Sequence, residues 1–190
     1  MNTKKLISVL LIAFLVLTFG SSALTQDLSG IPGAFVDVGL GLRPMGMGGA
    51  YSALATDEHA ARWNPAALSA TKDPSSGFAW TNQFAEDTYN YISLTYPGLT
   101  EVGLGVYGIA NGDDVYSELT VGIGAGIGAR KMFIPVDNLH FGLAFKYLST
   151  SFGNDEDGGE ERTIGSSAGY GLDIGILYQP TNQISLAVVM

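Results

Sequence analysis

Over its second half this chain alternates apolar residues with small or polar ones, position by position. Leu119, Val121, Ile123, Ala125, Ile127 and Ala129 take every other place, and Thr120, Gly122, Gly124, Gly126 and Gly128 fill the gaps. Successive side chains of a strand point to opposite faces, so one face is apolar and the other nearly bare. The pattern returns at Val102, Leu104 and Val106, and at Leu139, Phe141, Leu143, Phe145 and Tyr147. It returns again at Leu172, Ile174, Ile176 and Tyr178, and at Ile184, Leu186 and Val188. Alternating segments of about ten residues, set apart by turns, are the signature of a transmembrane β-barrel. The expected fold class is therefore all-β and antiparallel, a barrel in a membrane. Its lipid-facing positions would include Val102, Leu104, Val106, Val121, Ile123, Leu143, Phe145, Ile174 and Ile176.

The N-terminus agrees with export. Asn2-Thr3-Lys4-Lys5 is a short basic region, Leu6 to Phe19 is unbroken and apolar, and Ser21-Ser22-Ala23 offers small residues for cleavage. That is a secretory signal peptide over 1–23. A spanning helix needs about 20 apolar residues, which neither this stretch nor any later one supplies. Export together with alternating strands places the chain in the outer membrane of a diderm bacterium, with membrane lipid as its first partner.

Composition narrows the chemistry. With no cysteine, disulfides and cysteine metal sites are excluded. Without the leader's Lys4 and Lys5, seven basic residues face eighteen acidic ones, a charge of −11, which argues against nucleic acid as a partner. Glycine is abundant, at 26 residues, and much of it lies at inward strand positions rather than in turns.

Residues 24–74 show no alternation and form a separate N-terminal segment. From 75 onward the pattern predicts strands near 77–84, 89–96, 100–110, 118–129, 139–151, 163–178 and 184–190. Tyr96-Pro97-Gly98-Leu99 and Gln179-Pro180-Thr181-Asn182 read as tight turns. Asn111-Gly112-Asp113-Asp114 and the run from Asn154 to Glu161 are acidic, polar loops. If the first strand runs outward, both acidic loops fall on the outer side and both proline turns in the periplasm, as short periplasmic turns and longer outer loops require. The longer connection Arg130 to Asn138 joins the periplasmic set. Seven strands leave an open edge, which lipid does not tolerate. Met190 also falls inside an alternating run, so the expectation is the N-terminal part of a longer barrel.

The local motif precedes the first strand. Gly39 to Ala50 reads Gly-Leu-Gly-Leu-Arg-Pro-Met-Gly-Met-Gly-Gly-Ala; Tyr51-Ser52-Ala53-Leu54-Ala55-Thr56-Asp57 follows, then His59-Ala60-Ala61-Arg62-Trp63-Asn64-Pro65-Ala66-Ala67-Leu68. Here the chain resembles the PorV/PorQ family of outer-membrane proteins, relatives of the FadL fatty-acid transporters. The family pattern is Arg-x-x-Gly-Met-Gly-Gly-Ala, then Ala-x-Asp, then Trp-Asn-Pro-Ala. The matching positions are Arg43, Gly46, Gly48, Gly49, Asp57, Trp63, Asn64, Pro65 and Ala66. The resemblance implies a 14-stranded barrel with its N-terminal segment, short helices included, folded inside as a luminal plug. The Asn-Pro-Ala element would correspond to residues of the FadL hatch.

The residues themselves suggest how such a segment folds. Thr56 or Asp57 caps a short helix running toward Trp63, and Pro65 disfavours helical geometry at Asn64 and ends it. The Asn64 side chain then bonds nearby backbone and fixes the corner. Gly46, Gly48 and Gly49 let the backbone approach the wall or take positive φ, and the inward glycines of the fourth strand leave room opposite. The motif either holds the plug or takes part in gating and ligand contact.

Other candidates fail on spacing. Gly46-Met47-Gly48-Gly49 lacks the spacing of a phosphate loop. Asp155, Asp157 and Gly158 suit a calcium loop, but its first and twelfth positions would be Gly153 and Ile164, which cannot chelate. His140 points inward beside Lys146 without the partners of a catalytic triad, and His59 is expected to be exposed. Tyr96, Tyr147 and Tyr178 near strand ends suggest an interfacial girdle. No enzyme, metal or cofactor is expected. What the resemblance implies about function is a type IX-like secretion scaffold or shuttle that binds secreted proteins. The alternative is a transporter of long-chain fatty acids or other hydrophobic small molecules.

Overall fold

A computed structural model describes residues 41–83, 87–98, 102–112, 116–152 and 165–190. Seven strands follow one another: β1 (Ser75–Gln83), β2 (Asp87–Tyr96), β3 (Val102–Gly112), β4 (Tyr116–Gly128), β5 (Leu139–Phe152), β6 (Gly165–Thr181) and β7 (Ile184–Val189). They form one antiparallel sheet in which each strand pairs with the next in sequence, curled like half a barrel. Each of the seven predicted strands is present, with ends displaced by a few residues. Among the described residues no helix is long and apolar enough to cross a membrane.

Register aligns like with like on each face. Leu94 pairs with Val106, Val106 with Ile123, Ile123 with Phe145, and Phe145 with Leu172, so a row of large apolar side chains crosses five strands. This face is uncovered: Phe78 is 73% exposed, Trp80 62% and Ile123 61%. Along β4 exposure and burial alternate almost without interruption, as the period of two demands.

The opposite face is covered by the segment that precedes β1. That segment contains α1 (Leu42–Gly46), α2 (Ala60–Trp63) and a 3-10 turn, Pro65–Ala70. The core lies between it and the sheet. Ala60, Ala61, Ala66, Ala67 and Leu68 pack on Tyr89, Tyr91, Tyr107, Ile109 and Leu177. Small side chains, mostly alanine, on one side meet tyrosine rings, Ile109 and Leu177 on the other, so the two surfaces approach closely.

Meander topology puts the connections β1–β2, β3–β4 and β5–β6 at one end of the sheet and the other three at the opposite end. The strand ends Gly112, Tyr116, Phe152 and Gly165, which flank the acidic stretches of the sequence, share an end; residues 113–115 and 153–164 themselves lie outside the described residues. At the opposite end Gly98 has φ +73°, as its turn requires. The last turn differs from expectation. β6 continues through Pro180 to Thr181, with a register shift between Tyr178 and Thr181, and the chain reverses at Asn182-Gln183. Pro180 sits at that irregularity, where its missing donor interrupts no ladder bond. Two further expectations need correction. Ala129 leaves the alternation and enters a 3-10 turn, Ala129–Met132. Tyr178 is only 8% exposed, so it is not part of an exposed ring of tyrosines.

Candidate functional site

The residues of the 43–66 motif converge through two hubs. Asp57 is the first. Its Oδ1 accepts the His59 amide at 3.1 Å ahead of α2, while Oδ2 accepts from Arg43 at 2.7 Å and from the Tyr51 hydroxyl. The Arg43 guanidinium lies 5.5 Å from the Tyr51 ring centroid, within cation–π range. Trp63 meets the same ring edge-on at 5.9 Å. Tyr51, assigned no role from the sequence, is what joins Arg43, Asp57 and Trp63. Burial, reinforced by the Asp57 carboxylate, raises the Tyr51 hydroxyl well above its ordinary range.

Asn64 is the second hub. Its φ of −162° and ψ of 102° end α2, as the clash with Pro65 requires. Oδ1 accepts the Ala66 amide at 3.0 Å and Nδ2 donates to the Ser52 carbonyl at 2.9 Å. Asn64, Pro65 and Ala66 are fully buried. One side chain therefore caps the 3-10 turn and ties it back to the loop before α2.

The sheet receives this turn on glycine. Gly103 pairs with Gly126, Gly126 with Gly142, and Gly142 with Gly175, so four glycines stand in register across β3 to β6. A Cβ on Gly103 would lie 2.0 Å from the Leu68 carbonyl oxygen, on Gly126 2.5 Å from that of Pro65, on Gly142 2.2 Å from the Ala66 nitrogen, and on Gly175 2.2 Å from Asn64 Oδ1. Backbone thus lies on backbone at Gly103, Gly126 and Gly142, and the Asn64 side chain lies on Gly175. Ser69 Oγ and His140 Nδ1, 2.8 Å apart, fasten one side of the contact.

The sequence located only part of this arrangement. It placed the receiving glycines on β4, but Gly103, Gly142 and Gly175 belong to the same track. Their inward parity within each strand was the available signal. Gly48 and Gly49 do take positive φ, +61° and +81°. Gly46 does neither of the things expected of it: its φ is ordinary and a Cβ there would meet open space. His59 is 6% exposed rather than solvated, because its ring lies against Tyr91, with Nδ1 3.1 Å from that hydroxyl. Inward-pointing Lys146 pairs with Asp173 at 2.6 Å.

The nine positions expected to face lipid all lie on the uncovered face. Leu104, Val106, Val121, Ile123, Leu143, Phe145 and Ile174 are exposed there, and Val102 and Ile176 half-buried. Among the described residues no cluster of three His, Cys, Asp or Glu side chains suits a metal ion. Compared with protein-family models, curated proteins and solved structures, the chain matches none.

Proposed function

We propose that this chain forms wall and plug of an outer-membrane β-barrel and serves, as its resemblance to the PorV/PorQ family implies, as a secretion-associated scaffold or shuttle. The observation that carries this reading is the contrast between the two faces of one sheet. Among the described residues, one face presents large, exposed apolar side chains; the other combines a track of glycines with tyrosine, Ile109 and Leu177 side chains and is covered by residues 60–71. Water penalises the first face, whereas lipid accommodates it. From Leu119 to Ile127 the apolar stretch of β4 is about 27 Å long, or roughly 20 Å tall at a ~40° tilt, close to the ~25 Å band of such barrels. Beyond it, toward the acidic connections, the same face turns to Thr88, Asn90, Ser117, Ser149 and Ser151. Among the described residues β1 and β7 each pair on one side, and a closed barrel leaves no such edge in lipid.

The glycine track favours a scaffold over a conduit. A plug seated on glycine across four strands, backbone to backbone on three of them, has little slack in which to slide, and a transport route needs it to move. The FadL-like alternative, passage of fatty acids or other apolar compounds, needs an apolar pocket on the plug side of the wall, whereas the apolar groove over Leu94, Tyr96, Leu104, Val106 and Ile123 lies on the face assigned to lipid.

Two measurements test the reading. Expressed with its leader in a diderm host, the chain should fractionate with the outer membrane and resist carbonate extraction; recovery in the soluble periplasm would refute the barrel. Deleting the gene in the source organism should then block release of secreted proteins and leave uptake of labelled oleate unchanged. Loss of uptake with normal secretion would instead favour the transporter.

A further inference from the structure

At the end of the sheet that bears the acidic connections, the covered face carries a row of oxygen-bearing side chains. Tyr89, Asn111, Glu118, Thr150 and Ser167 stand in register across β2 to β6. Glu118 is 7% exposed and Asn111 9%. The Tyr116 hydroxyl donates to Glu118 Oε1, and so does Thr150 Oγ1 at 3.4 Å. The Asn111 side chain approaches the same carboxylate from the neighbouring strand. Glu118 Oε2 and Asn111 Oδ1 nonetheless have no hydrogen-bond partner among the described residues.

Buried acceptors without a donor are costly and rare. Here two of them, one carboxylate and one amide carbonyl, occupy paired positions of adjacent strands. Hydroxyl donors turn one carboxylate oxygen away and leave the other free. Carboxylate, amide and hydroxyl oxygens without nitrogen or sulfur are the ligands of a hard cation. The outer positions beside this row are polar, so it lies next to the aqueous end rather than inside the apolar band.

We infer that Glu118 Oε2 and Asn111 Oδ1 are ligands of a Ca²⁺-type divalent cation that bridges β3 and β4 at this rim, with water completing its shell. Ca²⁺ accepts six to eight oxygens in irregular geometry, whereas Mg²⁺ demands a near-ideal octahedron that oxygens spaced by a sheet do not offer. One carboxylate gives weak binding, with a Kd on the order of 10⁻⁴–10⁻³ M, as in extracellular modules.

The test uses the full chain folded in detergent micelles, melted in EDTA and in 0.1–10 mM CaCl₂ at constant ionic strength. Wild type should gain about 4 °C at ten times Kd, and MgCl₂ should give less than half of that shift. Glu118→Gln keeps the donors satisfied and should melt in EDTA no lower than wild type, with the calcium response gone. Asn111→Ser should weaken the response severalfold, which keeps the proposal testable if the first variant does not fold. Tb³⁺ luminescence excited through tyrosine should appear in wild type, since Tyr116 touches Glu118, and vanish in Glu118→Gln. An equal calcium response in wild type and Glu118→Gln would overturn the proposal. So would the absence of any response with no Tb³⁺ signal.

Discussion

Asn64 ties two parts of the motif together, because each end of its amide satisfies a different backbone segment. Asn64→Ala removes the cap on Ala66 and the tie to Ser52, and leaves the buried Ala66 amide and the half-buried Ser52 carbonyl without that partner. The expected loss is about 2–3 kcal/mol, measured by urea unfolding in micelles. The glycines make a sharper contrast. Gly142→Ala forces a methyl group against the Ala66 backbone, while Gly169→Ala, on the same face, meets open space. The first should cost upwards of ~2 kcal/mol and the second less than ~0.5 kcal/mol. Tyr51 adds a pH dependence. Its hydroxyl is raised in the folded state, so the stability it contributes is full below its ordinary value of 10.0 and is lost as pH climbs above that. Tyr51→Phe should flatten the decline in melting temperature above pH 10. Arg43, exposed beside Asp57, contributes less, since solvent screens such a pair.

Adjacent positions of β4 should respond to the same substitution for different reasons. Ile123→Arg places a charge on the uncovered face and should cost ~2–4 kcal/mol if that position meets lipid at mid-depth. Gly124→Arg instead drives a side chain into Leu68 and Ala144, whose atoms would lie 3.2 and 3.3 Å from a bare Cβ. The first defect should ease when the protein is moved from bilayers to a charged detergent, and the second should not; equal behaviour in both media would break the face assignment. The strands themselves were legible because their period is local: each residue's parity declares its face. The turn after β6 was less so. Proline suggested the reversal at 179–182, yet Pro180 sits inside the strand at a register shift, and only pairing with β7 reveals that the ladder there has no bond to lose.

For the molecule as a whole, the segment before β1 takes the place of a second sheet. It supplies half of the core, so excising residues 41–71 uncovers Tyr91, Tyr107 and Leu177. Such a deletion should become sensitive to trypsin and melt without cooperativity, even where strands still form; a protease-resistant product with a sharp transition would show that the sheet needs no filling. Pattern along the chain sufficed for the seven strands, their faces and the corner at Asn64-Pro65, because periodicity, proline geometry and short polar side chains act within a few residues. The glycine track across β3 to β6, the burial of His59 and the joining of Arg43, Asp57 and Trp63 by Tyr51 were not legible in that way. Each depends on which residues of distant strands come into register and on what lies over them, and a glycine selected for contact with foreign backbone looks, along the chain, like any other glycine.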